Sequence, residues 1–310
     1  MSQHVPLGLH HVTAIAGAPR PSAAFYAGVL GLRRVKLTVN FDDPGAYHVY
    51  YADDAARPGS VLTLFPYGDA PAGRPGAGDA VETAHAVPAG ALEYWMGRLA
   101  DKACDDWDAP EERLGEPVLR LRDPDGVPLA LVETPAATGG WEGGPVPLDA
   151  AAGALHSVSL ASRDPDATMR LLTEAMGYDE AGAEGDRVRL VNARADRAVA
   201  VDVVPAPGEP RRPGRGTIHH VAFRVVDDEA LLAFSEAVLG RGLQPTEVRD
   251  RKYFHSIYFR EPGGVLFEAA TDGPGFALDE VADALGLSLQ LPAHLEARRA
   301  EIEAALPALD

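Results

Sequence analysis

Internal repetition constrains this chain more than any local motif. Four histidine-led, β-prone segments recur along its 310 residues: His10-His11-Val12-Thr13-Ala14-Ile15, His85-Ala86-Val87, His156-Ser157-Val158-Ser159-Leu160 and His219-His220-Val221-Ala222-Phe223. The second is the weakest, cut short by Pro88. A helical stretch follows each segment. The clearest run from Ala23 to Gly31, Asp166 to Gly177 and Asp228 to Gly240, with Asp166 and Asp228 expected as N-caps and the closing glycines as C-caps. Strand-like runs complete each unit, among them Tyr47 to Tyr51, Val61 to Phe65, Val118 to Leu121, Leu129 to Glu133, Arg187 to Val191, Ala198 to Val204, Phe254 to Phe259 and Val265 to Ala270. Asp123-Pro124-Asp125-Gly126 and Glu261-Pro262-Gly263-Gly264 read as equivalent turns before the last strand. Pro/Gly-rich joints lie at Gly68 to Asp79, Thr138 to Gly153 and Pro205 to Gly216. The pattern predicts an α+β protein of four βαβββ modules. Modules one and two would form an N-terminal domain (1–150), and modules three and four a C-terminal domain (151–310) ending in an added helix over Ala293 to Leu306.

Composition removes several classes of function. Lys+Arg 28 against Asp+Glu 46 gives a net charge of −18, a field that repels phosphate backbones and anionic membranes. The densest basic run, Arg211-Arg212-Pro213-Gly214-Arg215, sits in a Pro/Gly loop, so nucleic acid is not an expected partner. The single cysteine, Cys104, permits neither an intramolecular disulfide nor a thiolate metal cluster. Met1 to Pro6 carries no signal-peptide pattern, and no apolar run approaches the roughly 20 residues of a membrane span. A soluble cytoplasmic protein is expected, with its oligomeric state, homo-oligomer included, left open.

Strand parity then singles out candidate metal ligands, because successive side chains point to opposite faces. Val221, Phe223 and Val225 suit a covering helix, which turns His220 and Ala222 inward. Val12 and Ala14 likewise leave His11 and Thr13 inward, and Val265 and Phe267 leave Glu268 inward. Two neutral imidazoles and a carboxylate form the ligand set of non-heme Fe(II) oxygenases, with open positions for substrate and O2; Mn2+ accepts the same ligands. A second constellation, His85, Glu133, His156 and Asp202, is read at corresponding positions of modules two and three, and His156 is the chief rival to His11. His48, Tyr47, Tyr50 and Tyr51 either line a pocket or are ordinary sheet residues.

At these residues the chain resembles the vicinal-oxygen-chelate superfamily of glyoxalases, bleomycin-resistance proteins and extradiol dioxygenases. Leu9 to Thr13, Asn40 to His48, Leu64-Phe65-Pro66, Ile218 to Phe223 and Tyr258 to Glu268 look, more narrowly, like the hydroquinone ring-cleaving branch. The resemblance implies cupped mixed sheets with helices outside, modules one and four pairing around the metal, and His11, His220 and Glu268 as its ligands. It also implies that His10 and His219 orient those ligands, while Thr13 shares their inward face. Arg251 would hold an anionic substrate oxygen, and Tyr258 would donate a hydrogen bond or proton. The implied activity is Fe2+-dependent, extradiol-type opening of a hydroquinone or catechol by O2, with the small aromatic diol and O2 as partners. The alternatives are a glyoxalase-type isomerase or lyase, and a non-catalytic protein that binds an aromatic toxin. The first is disfavoured because Val61 to Pro66, the last strand of module one, offers no fourth ligand.

Overall fold

The structure, a computed structural model, describes residues 5–206 and 208–309; Met1 to His4, part of the targeting reading above, lie outside that range. Module one consists of β1 (Leu9–Ala16), α1 (Pro19–Ala23, widening into a π-helical turn over Ala24–Val29), β2 (Arg33–Asn40), β3 (Asp43–Ala52) and β4 (Val61–Pro66). Module two repeats the order in β5 (Asp79–Val87), α2 (Leu92–Asp101), β6 (Glu111–Arg113), β7 (Glu116–Arg122) and β8 (Pro128–Glu133). Module three comprises β9 (Leu155–Ser162), α3 (Pro165–Ala175), β10 (Asp179–Glu184), β11 (Arg187–Val191) and β12 (Ala200–Pro205). Module four comprises β13 (Thr217–Val225), α4 (Asp228–Leu239), β14 (Arg249–Asp250), β15 (Phe254–Arg260) and β16 (Leu266–Pro274). The chain closes with β17 (Leu289–Gln290), a 3-10 stretch over Ala293–Arg298 and α5 (Arg299–Ala305). The added C-terminal helix is thus α-helical only in its second half.

Two curled mixed sheets result. One runs β14-β15-β16-β13-β1-β4-β3-β2-β17 and unites modules four and one; the other runs β10-β11-β12-β9-β5-β8-β7-β6 and unites modules three and two. The cut near residue 150 separates modules two and three along the chain, yet each sheet draws one module from either side of it. Apolar outward faces hold the helices. Val12, Leu62, Leu64, Val221, Phe223 and Phe267 share one core with Phe25, Tyr26, Leu231 and Phe234 of the covering helices. At roughly 1.5–3 kcal/mol for each large side chain, this burial is the main force pressing helices onto sheets.

Local signals account for most element ends. The cap of α3 is Asp164, accepting from the Ala167 N–H at 3.0 Å, and not Asp166. Pro165 fixes the first helical φ and has no N–H to offer, so the acid before it takes the cap. Asp227 similarly caps α4 through the Ala230 N–H at 2.9 Å, while Asp228 lies inside the helix and pairs with His255 at 2.6 Å. Gly31 (φ +69°) and Gly177 (φ +75°) occupy the left-handed region expected of closing glycines, but Gly240 does not (φ −62°); that conformation falls to Gly242 (φ +79°). The two predicted turns match in detail. Asp123 accepts from the N–H groups of Asp125 and Val127 at 2.9 and 2.8 Å, and Glu261 from those of Gly263 and Val265, both at 2.8 Å.

Candidate metal centre

β1 and β13 lie antiparallel at the middle of the nine-stranded sheet, with Thr13 opposite His220. β16 runs parallel to β13 and sets Glu268 opposite Ala222. Alternation then sends His11, His220 and Glu268 into the same concavity. His220 Nε2 lies 2.9 Å and His11 Nε2 3.2 Å from Glu268 Oε2, and the two Nε2 atoms are 3.2 Å apart. All three side chains are buried, and among the described residues they are the one His/Cys/Asp/Glu trio whose ligand atoms converge within 4.8 Å.

The electrostatics suit a cation. Burial alone would raise the Glu268 carboxyl, but the imidazoles of His11 and His220 outweigh it and hold the group well below the usual carboxylate range. Burial also lowers His220, with Glu268 opposing in part. Despite the short contacts, neither Glu268 oxygen receives a properly directed hydrogen bond from the described residues. A buried carboxylate so placed costs several kcal/mol unless something else neutralises it. Two imidazole nitrogens and one carboxylate oxygen aimed at a common point fit a divalent metal.

The other predicted residues surround this trio. His10 Nδ1 lies 2.9 Å from His11 Nδ1, and His219 Nδ1 lies 2.7 Å from His220 Nδ1. Burial, reinforced by the neighbouring imidazole, lowers both His10 and His219 to about 3, so each presents a neutral ring to its partner. Thr13 Oγ1 is 2.9 Å from His220 Nε2. A cavity of about 240 Å³ opens beside the trio, walled on one side by Tyr258 and Arg251. Arg251 Nε donates to the Tyr258 hydroxyl at 3.3 Å, and its guanidinium also meets Asp42 at 3.1 Å. It is therefore a pocket residue. Burial foremost, then the charge of Glu268, raises the Tyr258 phenol, which stays protonated. A larger open cleft of about 900 Å³, between α1 and the C-terminal segment, holds no comparable cluster among the described residues.

The second constellation does not assemble, and strand register explains why. In the first barrel the inward residue two positions after His220 pairs with Glu268, and the one two positions after His11, Thr13, pairs with Thr63. Thr63 therefore occupies the place of Glu268 in module one, so no fourth protein ligand stands there. In the second barrel, Glu82 faces Ser159 and Ala84 faces Ser157, while Asp202 pairs with Ser159 and Ala130 with Ala84. Glu82, Ser157, Asp202 and Ala130 hold the equivalent places. His156, one residue early, pairs with Glu116 at 3.0 Å, and His85 is three residues late. Glu133 accepts from the Leu92 N–H at 2.7 Å, at the start of α2. Of the four predicted residues Asp202 alone keeps its position, and the guanidinium groups of Arg187 and Arg189 occupy it at 2.7–3.0 Å.

Sequence reasoning left out several pocket residues. Asn40 donates to the Tyr67 hydroxyl at 2.7 Å, and Phe254 packs on both His10 and His11 at 5.3 Å between ring centroids. Thr63 was signalled by parity alone, being inward on the strand beside β1.

Fold and site define a class: paired βαβββ modules forming two barrels, one of them enclosing a buried two-histidine, one-glutamate cluster. This chain belongs to the Glyoxalase/Bleomycin resistance protein/Dioxygenase superfamily, whose sequence profile matches residues 8–131 and 154–269. It is 42% identical over 304 residues to MhqO of Bacillus subtilis (strain 168), named a ring-cleaving dioxygenase, covering 97% of this chain and 96% of that one. It is 32% identical over 308 residues to the chlorohydroquinone/hydroquinone 1,2-dioxygenase of Sphingobium indicum, covering 95% and 94%. A crystal structure from Bacillus subtilis, described as a dioxygenase, superposes with a TM-score of 0.92 at 40% identity, covering 99% of this chain and 98% of that one. Glyoxalase I from Zea mays shares the fold with a TM-score of 0.64 at 14% identity, covering 86% and 92%.

Proposed function

We propose that this protein is an Fe2+-dependent, extradiol-type dioxygenase that opens the ring of a hydroquinone, Mn2+ being able to take the same ligands. The observation that carries the reading is the buried trio of His11, His220 and Glu268, with Thr63 where a glyoxalase-type fourth ligand would stand. The relatives named for ring cleavage, and the one named for hydroquinone, support it.

A bound Fe2+ would supply Lewis acidity toward one phenolic hydroxyl and a redox route between ring and O2. His11, His220 and Glu268 would hold it, while His10 and His219 fix the ligand rings through their Nδ1 atoms. The small cavity suits a single aromatic ring. A para-diol reaches the metal through one hydroxyl and lacks the chelation that holds a catechol, so protein groups must orient it. Arg251, the pocket's cation, steadies negative charge on the substrate oxygens. The protonated Tyr258 hydroxyl beside it donates to a substrate oxygen.

The test is oxygen uptake by anaerobically Fe2+-loaded protein supplied with hydroquinones, catechols or a glutathione hemithioacetal. Substituted hydroquinones should be consumed with one O2 per ring, and Tyr258→Phe should lower turnover by roughly 10²-fold with metal content unchanged. Turnover of catechols alone with a silent Tyr258→Phe would make it a general extradiol enzyme. Isomerisation of the hemithioacetal without O2 uptake would replace the reading with the glyoxalase one.

A further inference from the structure

From Thr13 to His48 and Tyr50, which line the same cavity as Tyr258, runs a hydrogen-bonded series that the mechanism above does not use. Thr13 Oγ1 is 2.7 Å from Thr63 Oγ1, Thr63 Oγ1 is 2.8 Å from His48 Nε2, and His48 Nδ1 is 2.8 Å from the Tyr50 hydroxyl. Thr13 and Thr63 are fully buried, and the His48 ring is sandwiched between Tyr50 and Phe65, with centroids 4.1 and 4.3 Å away.

We propose that Tyr50, His48, Thr63 and Thr13 form a one-way hydrogen-bond relay that presents the Thr13 proton to a ligand oxygen in the metal pocket, making His48 a positioning residue for the reaction. The inference rests on the dioxygenase reading for its chemistry, and on the four contacts for its geometry.

Proton counting sets the direction. Burial foremost, with the charge of Glu268, keeps the Tyr50 phenol protonated, and His48 Nδ1 is the one acceptor its proton has among the described residues. Burial and the surrounding cationic groups keep His48 neutral, so its single N–H sits on Nε2 and points at Thr63. Thr63 then donates to Thr13, whose own proton turns toward His220 Nε2, 2.9 Å away at the convergence of the ligand atoms. Running the series backwards would need a proton on His220 Nε2, the atom offered to the metal, and would strand the Tyr50 proton. With that nitrogen's lone pair committed to a metal, the acceptor left to Thr13 is the ligand entering beside it. Successive donation polarises each hydroxyl, so Thr13 donates more strongly than an isolated threonine.

Long-range 1H–15N correlation on the 15N-labelled full chain loaded with Zn2+ reads the tautomer directly. The relay requires His48 protonated at Nε2 and bare at Nδ1, with the Nδ1 signal shifting in Tyr50→Phe; a proton on Nδ1 overturns it. In the Fe2+-loaded enzyme, His48→Leu should lower kcat by about 3- to 10-fold, the scale of one hydrogen bond, with KM and metal content little changed. His48→Gln keeps an amide donor toward Thr63 and should recover most of the loss. If Gln is no better than Leu, the relay is wrong. If no diol is turned over at all, the dioxygenase reading fails, and the tautomer still decides the hydrogen-bond direction.

Discussion

Glu268 shows how much one residue can disclose. A glutamate on an otherwise apolar strand is expensive to bury, and strand parity alone turns it inward with His11 and His220. His11→Ala should abolish tight metal binding, measured by metal analysis after anaerobic loading and desalting, whereas His156→Ala should retain about one metal per chain. The opposite pattern would move the centre to modules three and four. Other residues were illegible for a physical reason. Asp42 and Tyr67 reach the pocket from a hairpin tip and from just past a strand end, where no periodicity says which way a side chain turns. His85 teaches a different lesson. Its histidine-led segment looked like a ligand strand, yet its ring is buried, Nε2 has no partner among the described residues, and burial lowers it to about 4. A free imidazole titrates near about 6.5, so the unfolded chain takes the proton first. The stability that the neutral ring permits is therefore complete above about pH 6.5 and lost as pH falls toward about 4. The melting temperature of the wild type should fall relative to that of His85→Leu as pH drops through that window; parallel curves would contradict the buried, neutral assignment.

At the scale of elements, the strand–helix–three-strand order was readable because punctuation recurs between units: capping acids on α3 and α4, glycines closing the helices of modules one, three and four, and acid-Pro turns in modules two and four. Equivalence between units was not. Counting from histidines aligned His85 and His156 with His11, whereas pairing register aligns Glu82 and Ser157 with it. Register is fixed by partner strands far away in sequence, and a shift of one residue reverses every side chain. The second barrel holds ion pairs at two of its four ligand-equivalent positions. Glu82 meets Arg113 at 2.5 Å, and Asp202 meets Arg189 at 2.7 Å. Breaking such a buried pair from one side leaves an uncompensated charge. Arg189→Leu should destabilise the protein by roughly 3–5 kcal/mol in urea unfolding without changing metal content. A loss below about 1 kcal/mol would mean that Asp202 is satisfied by Arg187 alone.

For the molecule as a whole, the path of the chain matters most. The ligands come from residues 11, 220 and 268, and the first and last modules share one sheet. A metal bound there ties the two ends of the sequence together. The joint between modules two and three was legible as a Pro/Gly-rich stretch; the pairing of modules one and four was not, and entered only through the family resemblance, because nothing local in a strand names its distant neighbour. The central claim is that this first-and-last-module site inserts O2 into an aromatic ring. Mass spectrometry of the product formed by the Fe2+-loaded protein from hydroquinone under isotopically labelled O2 tests it most directly. A rapidly quenched reaction should give a ring-opened acid carrying both atoms of one O2. Intact benzoquinone with no incorporated label, or a ring-opened product whose new oxygens come from water, would contradict the account.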